Sequence, residues 1–303
     1  MSDGIRIIEV GPRDGLQNEK APIPTPMKLT FIQDLLNAGI LEIEATSFVS
    51  PKWVPQLGDA VDLWPSLPRG GTYSALIPNQ KGLDRAVSVG VDRIAVFTAT
   101  SDSFTKNNIN MTVEESLNAF SEVIGSFRTV YPTGWVRGYV STAFECPYEG
   151  RVDPRRTVAI AQRLEALGVD EVSIGDTIGV AGPIEVKNLT RLMEDAVPIE
   201  KIAYHFHDTH GTAIANVAQA LELGIKSFDS SAGGLGGCPY APGAGGNLAT
   251  EDLVYFLQRS GIPTPIDLYQ LARASLEILK TLGREPLAKS QLAALAASET
   301  SPM

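Results

Sequence analysis

The stretch Gly168-Val169-Asp170-Glu171-Val172-Ser173-Ile174 predicts the end of a helix, a turn and a buried strand in succession. Gly168 provides the left-handed backbone conformation that often ends a helix, and Val169 leads the chain into the strand at 171–174. The same pair of a glycine and an apolar residue precedes three further predicted strands, at Gly39-Ile40, Gly90-Val91 and Gly224-Ile225. This recurrence predicts an ordered series of strands and helices.

Eight short apolar runs that predict strands alternate with longer helical patterns. They occupy residues 5–10, 41–45, 72–76, 93–97, 136–141, 171–174, 202–206 and 226–230. Alternation of strands with helices is typical of parallel sheets, because a crossing helix returns the chain to the same edge of the sheet. Eight such units in 303 residues predict an α/β protein with a closed (β/α)8 TIM barrel of eight parallel strands.

An open, doubly wound sheet is the alternative fold, and it usually carries a glycine-rich phosphate-binding turn after the first strand. Here that turn is Gly11-Pro12-Arg13-Asp14-Gly15, and Pro12 removes one of the amides that such a turn needs. No shift in composition divides the chain, so we expect a single catalytic domain over residues 1–286. The Ala- and Ser-rich residues 287–303 are expected to form a frayed tail.

The composition excludes several classes of function. The chain has 35 acidic and 25 basic side chains, a formal charge of −10, so it lacks the basic footprint of a nucleic-acid-binding protein. No apolar run approaches the ~20 residues of a membrane span. We therefore expect no nucleic-acid partner and no membrane partner. Two cysteines without paired spacing and the absence of a signal peptide predict a cytoplasmic protein. An exported solute-binding protein, the non-enzymatic alternative, would need such a signal.

The three histidines of the chain lie within six residues, and two of them flank Phe206. Alternate residues of a strand point to one face, so His205 and His207 share a face. At the carboxyl-terminal end of a barrel strand, such a pair provides half of a divalent-metal site. Asp14 and an amide oxygen from the last loop would complete a site suited to Mg²⁺ or Mn²⁺. The alternative is a pair of hydrogen-bonded histidines without a metal.

Arg13 precedes Asp14 in the turn after the first strand. A planar guanidinium can clamp a carboxylate or polarise a carbonyl, while the neighbouring Asp14 points to the metal. The alternative is a salt-bridged turn with no role in catalysis.

The segment 233–247 contains seven glycines in fifteen residues and includes Cys238. At the catalytic rim of a barrel, such a segment is typical of a lid that closes over the substrate and excludes water. Cys238 is then a candidate acid or a contact to the substrate. The alternatives are a flexible linker and, for the thiol, a small buried apolar group.

Several longer motifs resemble the signatures of the 3-hydroxy-3-methylglutaryl-CoA (HMG-CoA) lyase family. They are residues 9–20 (EVGPRDGLQNEK), 46–56 (TSFVSPKWVPQ), 175–179 (GDTIG), 231–240 (SAGGLGGCPY) and 246–255 (GNLATEDLVY). The resemblance implies a TIM barrel and a divalent metal held by Asp14, His205, His207 and Asn247. It implies catalytic roles for Arg13, Asp14, His205 and Cys238. It also implies substrate contacts from Arg13, Gln17, Glu44 and Asp176, with Glu251 near the metal end of the site.

The reaction that the resemblance implies is the retro-Claisen cleavage of an HMG-CoA-type substrate to acetyl-CoA and acetoacetate, by a homodimer that binds a small acyl-CoA molecule. A related 3-hydroxyacyl-CoA, such as citramalyl-CoA or a longer branched 3-hydroxyglutaryl-CoA, is the alternative substrate. A Claisen-condensing synthase of the same fold is less favoured, because those enzymes typically carry extra carboxyl-terminal domains that this sequence does not contain.

Overall fold

The computed structural model describes residues 4–237 and 246–300, and its central feature is a closed barrel of parallel strands. Over these ranges the barrel strands are Arg6–Glu9 (β1), Glu42–Ser47 (β2), Thr72–Leu76 (β3), Arg93–Ala99 (β4), Trp135–Ser141 (β5), Glu171–Asp176 (β6), Ile202–Phe206 (β7) and Ser227–Ser230 (β8). Each strand pairs with its neighbours in the sequence, and β8 pairs with β1. The predicted (β/α)8 TIM barrel is therefore confirmed.

Helices connect the strands and pack around the barrel. In the described part of the chain they are Thr25–Asn37 (α1), Ala60–Leu63 (α2), Gln80–Ser88 (α3), Asp102–Ile109 (α4), Val113–Val130 (α5), Pro154–Ala166 (α6), Pro183–Met193 (α7), Ala213–Glu222 (α8), Thr250–Arg259 (α9), Leu268–Thr281 (α10) and Lys289–Thr300 (α11). Single turns lie at Gly11–Gly15, Pro55–Leu57, Trp64–Ser66, Ile199–Lys201 and Ala232–Gly234, and a short hairpin pairs Glu145–Cys146 with Gly150–Arg151. None of the helices in the described ranges is long and apolar enough to cross a membrane.

The glycines that were expected to end helices do so. The second residue after each of α1, α3, α6 and α8 is a glycine with a positive φ angle. These glycines are Gly39 (96°), Gly90 (84°), Gly168 (83°) and Gly224 (87°). In each case the amide of the next residue donates to the carbonyl five residues earlier, as Val169 N does to Leu164 O. These bonds satisfy carbonyls that the helix leaves free, and they turn the chain into the following strand.

The outward faces of the strands form the hydrophobic core under the helices. On β7, Tyr204 and Phe206 flank His205, are almost completely buried and stack with ring centroids 4.9 Å apart. On β8, Phe228 is buried in the same core beside Asp229. Because alternate residues point to opposite faces, the polar residues between these aromatic side chains face the barrel interior.

The interior of the barrel carries paired charges. Arg137 on β5 is buried, and its guanidinium lies 3.0 Å from Glu171 and 2.6 Å from Asp229. Arg6 on β1 pairs with the same Glu171 and with Glu42, each at 2.6 Å. Guanidinium and carboxylate groups alternate through the interior, so these buried charges have oppositely charged neighbours.

The carboxyl-terminal segment corrects one prediction. The sequence predicts a frayed tail after Pro286, whereas Lys289–Thr300 forms α11 and contacts α9 and α10. Gln291 is fully buried, and its Nε2 donates to Ser275 Oγ on α10 at 2.7 Å. Alanine has a high intrinsic helix propensity, so an Ala-rich segment becomes a helix once it packs on a neighbour.

Two buried glutamates hold the turn that begins the glycine-rich segment. Both carboxylate oxygens of Glu251 accept from Gly233 N, at 3.0 and 2.9 Å. Glu9 Oε1 accepts from Ala232 N at 2.9 Å. Burial raises the pKa of Glu9 and of Glu251 to about 7, although their hydrogen bonds oppose the shift.

Glu251→Gln should flatten the pH dependence of stability. The folded protein keeps the Glu251 proton up to about pH 7, whereas the unfolded chain loses it near the ordinary glutamate pKa of 4.5. The folded state therefore binds more protons between these values, and the wild-type free energy of unfolding should fall as pH rises through this window. The contribution of this group is on the order of 2 kcal/mol. Urea unfolding between pH 5 and pH 8 measures the difference.

Glu200→Gln is the control, because Glu200 is exposed. This variant should keep the wild-type slope of stability against pH. Parallel profiles for the wild type and Glu251→Gln would contradict the prediction.

Candidate active site

Arg13 and Asp14 lie in a single helical turn directly after β1. The amides of Arg13, Asp14 and Gly15 all donate to Val10 O, at 3.1, 2.7 and 3.1 Å. Pro12 stands at the start of the turn, where no amide is required. The turn places both side chains at the carboxyl-terminal end of the barrel, where the active sites of such barrels lie.

Asp14, His205 and His207 form a cluster that could hold a metal ion. Each side chain offers one ligand atom, and these atoms lie within 4.8 Å of one another. The imidazole centroids are 5.3 Å apart, as expected for alternate residues at the end of β7. His205 Nε2 lies 3.9 Å from Asp14 Oδ2. The barrel therefore brings together three of the four predicted metal ligands.

Asn247, the fourth predicted ligand, lies beside this cluster. It forms an isolated β-bridge with His207, and its Nδ2 donates to Asp14 Oδ2 and to Leu235 O, both at 2.9 Å. Asn247 Oδ1 and His207 Nδ1 are buried and have no hydrogen-bond partner among the described residues. A buried polar atom without a partner is costly, and a cation would satisfy the amide oxygen. One carboxylate, two imidazoles and one amide oxygen are a donor set that fits a divalent metal ion.

The surroundings of Asp14 and His207 favour the protonation states that bind a metal, whereas His205 is shifted the other way. Burial lowers the pKa of His205, but its hydrogen bond to Asp229 and the negative charges of Asp229 and Asp14 outweigh burial and raise it. Burial opposes ionisation of Asp14, but attraction by Arg13, His205 and His207 outweighs it and holds the pKa of this carboxyl well below its usual range. Burial and the neighbouring His205 lower the pKa of His207 to about 4, so its imidazole is neutral at pH 7. A metal ion requires an ionised carboxylate and a neutral imidazole, and these two residues meet that requirement.

Arg13 is held by two carboxylates. Its Nε donates to Glu44 on β2, and its Nη1 donates to Asp14 at 2.6 Å. The hydroxyl of Tyr139 donates to the other oxygen of Glu44 at 3.0 Å, and the Arg13 guanidinium lies 5.6 Å from the Tyr139 ring centroid. Arg13 is only 6% exposed. The geometry therefore fixes a desolvated cation beside the candidate metal ligands, which suits stabilisation of a developing anion.

The other two predicted substrate residues occupy different surroundings. The carboxylate of Asp176, at the end of β6, accepts from the amides of Val180 and Ala181 at 3.1 and 3.0 Å. These bonds hold the loop after β6, while burial raises the pKa of Asp176 to about 6. Gln17 is half-buried, three residues after Asp14. Their contacts with substrate stay predictions.

Cys238 lies outside the described residues, but both ends of the glycine-rich segment are described. A Cβ on Gly236 would lie 2.5 Å from Asn247 Nδ2, and a Cβ on Gly246 would lie 1.9 Å from Gly234 O. Only glycine permits such close approaches. The two ends of the segment therefore meet beside the proposed metal ligand Asn247.

Sequence reasoning missed Asp229 on β8. Its Oδ2 lies 3.0 Å from His205 Nδ1, and its Oδ1 lies 2.6 Å from the Arg137 guanidinium. The register between β7 and β8 pairs Asp229 directly with His205. The sequence carried a signal for this residue, since a charged residue next to an outward-facing Phe228 must point into the barrel.

The chain is similar to proteins of known activity along most of its length. A family model described as HMGL-like matches residues 4–278. The mitochondrial hydroxymethylglutaryl-CoA lyase of Rattus norvegicus is 47% identical over 287 residues, which cover 94% of this chain and 88% of the relative. The family-model match extends over the turn with Arg13 and Asp14 and over the two histidines of the cluster.

Two solved structures share the fold and much of the sequence. The hydroxymethylglutaryl-CoA lyase from Pseudomonas aeruginosa has a TM-score of 0.93 and 44% identity, covering 98% of this chain and 99% of that one. An HMG-CoA lyase from Acinetobacter baumannii, in complex with coenzyme A and 3-methylmalate, has a TM-score of 0.91 and 35% identity, covering 100% of both chains. These comparisons confirm the resemblance found in the motifs, and the chain belongs to the HMGL-like family.

Proposed function

We propose that this protein is a divalent-metal-dependent carbon–carbon lyase that cleaves HMG-CoA to acetyl-CoA and acetoacetate. The observation that carries the proposal is the cluster of Asp14, His205 and His207 beside the buried Arg13, at the carboxyl-terminal end of a TIM barrel. The identity of 47% to a hydroxymethylglutaryl-CoA lyase supports the reaction. The related structure that contains coenzyme A supports an acyl-CoA substrate.

The reaction requires stabilisation of negative charge at two oxygens. When the C3 hydroxyl loses its proton, the electron pair of the O–H bond forms the second C–O bond of the ketone. The C2–C3 bond breaks, and its electron pair passes to the acetyl-CoA portion as an enolate. A proton added at C2 completes acetyl-CoA, and acetoacetate is the other product. Negative charge develops first at the C3 oxygen and then at the thioester oxygen, where positioned donors lower the barrier.

Asp14, His205, His207 and Asn247 would hold the metal ion. The bound ion supplies a positive charge that lowers the pKa of the substrate hydroxyl and stabilises its anion. These side chains come from the turn after β1, the end of β7 and the segment before α9. They therefore converge only when the barrel is closed, which couples metal binding to folding.

Arg13 would stabilise the thioester enolate oxygen. Its Nε and Nη1 donate to Glu44 and Asp14, so both N–H groups of Nη2 are left to donate to the substrate. Two carboxylates hold the guanidinium before the substrate arrives. The donor therefore needs little reorganisation when charge develops.

The two roles predicted for His205 compete for one atom. Asp229 occupies its Nδ1 at 3.0 Å, so Nε2 is the ring nitrogen that faces Asp14. Nε2 can hold the ion or accept the hydroxyl proton, but it cannot do both at once. Asp14 is the other group proposed as the base.

Several narrower assignments belong to the same proposal. The ion is Mg²⁺ or Mn²⁺, because a mixed set of oxygen and imidazole donors suits these cations. Glu44 acts on the substrate through Arg13, with which it is hydrogen-bonded. Gln17 and Asp176 line the acyl-CoA site. We assign the enzyme to the cytoplasm, because two cysteines without paired spacing are typical of a reducing compartment. The homodimer is the state that the resemblance to the HMG-CoA lyase family implies.

A substrate panel tests the proposed function. With Mg²⁺, the purified protein should cleave HMG-CoA with a kcat/KM about tenfold or more above that for citramalyl-CoA or a longer branched 3-hydroxyglutaryl-CoA.

Chelation should abolish turnover, and Mg²⁺ or Mn²⁺ should restore it. His207→Ala should weaken Mn²⁺ binding while circular dichroism shows a folded barrel. Faster cleavage of citramalyl-CoA would reassign the substrate, and full turnover in a metal-free sample would remove the metal from the proposal.

Arg13→Gln should lower kcat about 100-fold or more with a small change in KM. A charged donor to a developing anion contributes ~3 kcal/mol to the transition state. Arg13→Lys should rescue poorly, because an ammonium lacks the planar fork. Arg93→Gln is the control, since that guanidinium lies 4.2 Å from the Trp135 ring centroid, away from the cluster. A large rise in KM at unchanged kcat would make Arg13 a binding group only.

We also propose that Cys238, in the glycine-rich loop 233–247, contacts the bound substrate. An inert acyl-CoA analogue should then slow its alkylation, and Cys238→Ser should lower kcat without changing Mn²⁺ affinity. A Cys146→Ser background removes the other thiol, which is buried and donates to Ser101 Oγ at 3.0 Å. Equal alkylation rates with and without the analogue would contradict the contact.

A further inference from the structure

The two ring nitrogens of His205 face different carboxylates. Nε2 lies 3.9 Å from Asp14 in the metal cluster, whereas Nδ1 lies 3.0 Å from Asp229 in the barrel interior. Asp229 is 1% exposed and is not among the residues proposed to touch the metal ion or the substrate. We propose that Asp229 is a positioning residue that fixes the His205 ring with Nδ1 protonated and thereby presents the Nε2 lone pair to the metal cluster.

The surroundings of Asp229 make it an acceptor. Its Oδ1 lies 2.6 Å from the Arg137 guanidinium, and its Oδ2 accepts from Ser173 Oγ at 3.0 Å. A carboxylate paired with a guanidinium has only acceptor sites, so the hydrogen between Oδ2 and Nδ1 belongs to the imidazole. A neutral His205 ring therefore carries its lone pair on Nε2.

The orientation of the His205 ring is also set by packing. The β7–β8 register places Asp229 directly opposite His205. The ring of Tyr139 stands nearly perpendicular to the imidazole, at 87° with centroids 6.2 Å apart. Arg137 Nη1 donates to the Tyr139 hydroxyl at 3.2 Å, so the same guanidinium supports both neighbours of His205. The ring is therefore oriented from the barrel interior, as ligands of metal sites commonly are.

His207 provides a comparison within the same site. Its Nδ1 is buried and has no hydrogen-bond partner among the described residues. Within residues 4–237 and 246–300, a carboxylate therefore orients the His205 imidazole, and none orients that of His207. Loss of Asp229 should accordingly act on metal binding through His205.

Asp229→Asn tests the inference, which rests on the metal centre of the proposed function and not on its substrate. Asparagine keeps the volume of the side chain but can offer an N–H to Nδ1 and so favour the wrong tautomer. Glu171→Gln is the matched control. It also removes a carboxylate from Arg137, at 3.0 Å, but Glu171 contacts Arg6 and Ser227 rather than His205.

Binding of Mn²⁺ alone, followed by electron paramagnetic resonance, separates the two variants. Mn²⁺ affinity should fall about 10- to 100-fold in Asp229→Asn and stay close to the wild-type value in Glu171→Gln. Equal losses in both variants would make Asp229 a structural partner of Arg137 and overturn the inference. Wild-type affinity in a folded Asp229→Asn would overturn it as well.

A measurement on the wild-type protein applies if Asp229→Asn does not fold. The ¹⁵N chemical shifts of the imidazoles in metal-free protein at alkaline pH should show His205 protonated at Nδ1 and bare at Nε2. With three histidines in the chain, His207→Gln and His210→Gln suffice to assign the signals. A His205 protonated at Nε2 would overturn the inference. Failure to cleave HMG-CoA while Mn²⁺ binding is intact would instead count against the proposed function.

Discussion

The candidate site depends on the ion pairs that Arg137 makes inside the barrel. This buried guanidinium lies between Glu171 and Asp229, and Asp229 in turn contacts His205. Removing one partner of a buried pair typically costs about 3–5 kcal/mol, because the remaining charge has no compensation. The interiors of such barrels are more commonly filled by branched apolar side chains. Here charge pairing replaces apolar packing. The position of His205, a proposed metal ligand, therefore depends on the ion pair between Arg137 and Asp229 in the barrel interior.

Asp14 joins the two halves of the proposed chemistry. One of its oxygens accepts from Arg13 at 2.6 Å, and the other accepts from Asn247 at 2.9 Å and faces His205. A single carboxylate thus fixes the distance between the cationic arginine and the candidate metal ligands. The proposed mechanism uses both centres in turn, the metal ion at the C3 oxygen and then Arg13 at the thioester oxygen. A short, rigid turn with three amides on one carbonyl is a suitable support for that geometry.

Local patterns in the sequence predicted the barrel and much of the site. The glycine that ends each helix, the strand alternation and the spacing of His205 and His207 act within a few residues, so the sequence displays them directly. The closed barrel then placed Asp14 beside these histidines, as expected. The contact between Asp229 and His205 depends on the register between β7 and β8. The packing of α11 depends on the buried side-chain amide of Gln291, which donates to Ser275 on α10. Such long-range contacts leave only weak marks in the sequence.

The glycine-rich segment is held close to the candidate metal ligands at both of its described ends. At its start, Glu9 and Glu251 accept the amides of Ala232 and Gly233. At its other end, Asn247 Nδ2 divides its hydrogen bonds between Asp14 and Leu235 O, so the same amide touches the cluster and the start of the segment. A displacement of either end would therefore disturb the donor set around the cluster. The two described ends of the segment and the proposed metal ligands Asp14 and Asn247 are therefore constrained by one set of contacts.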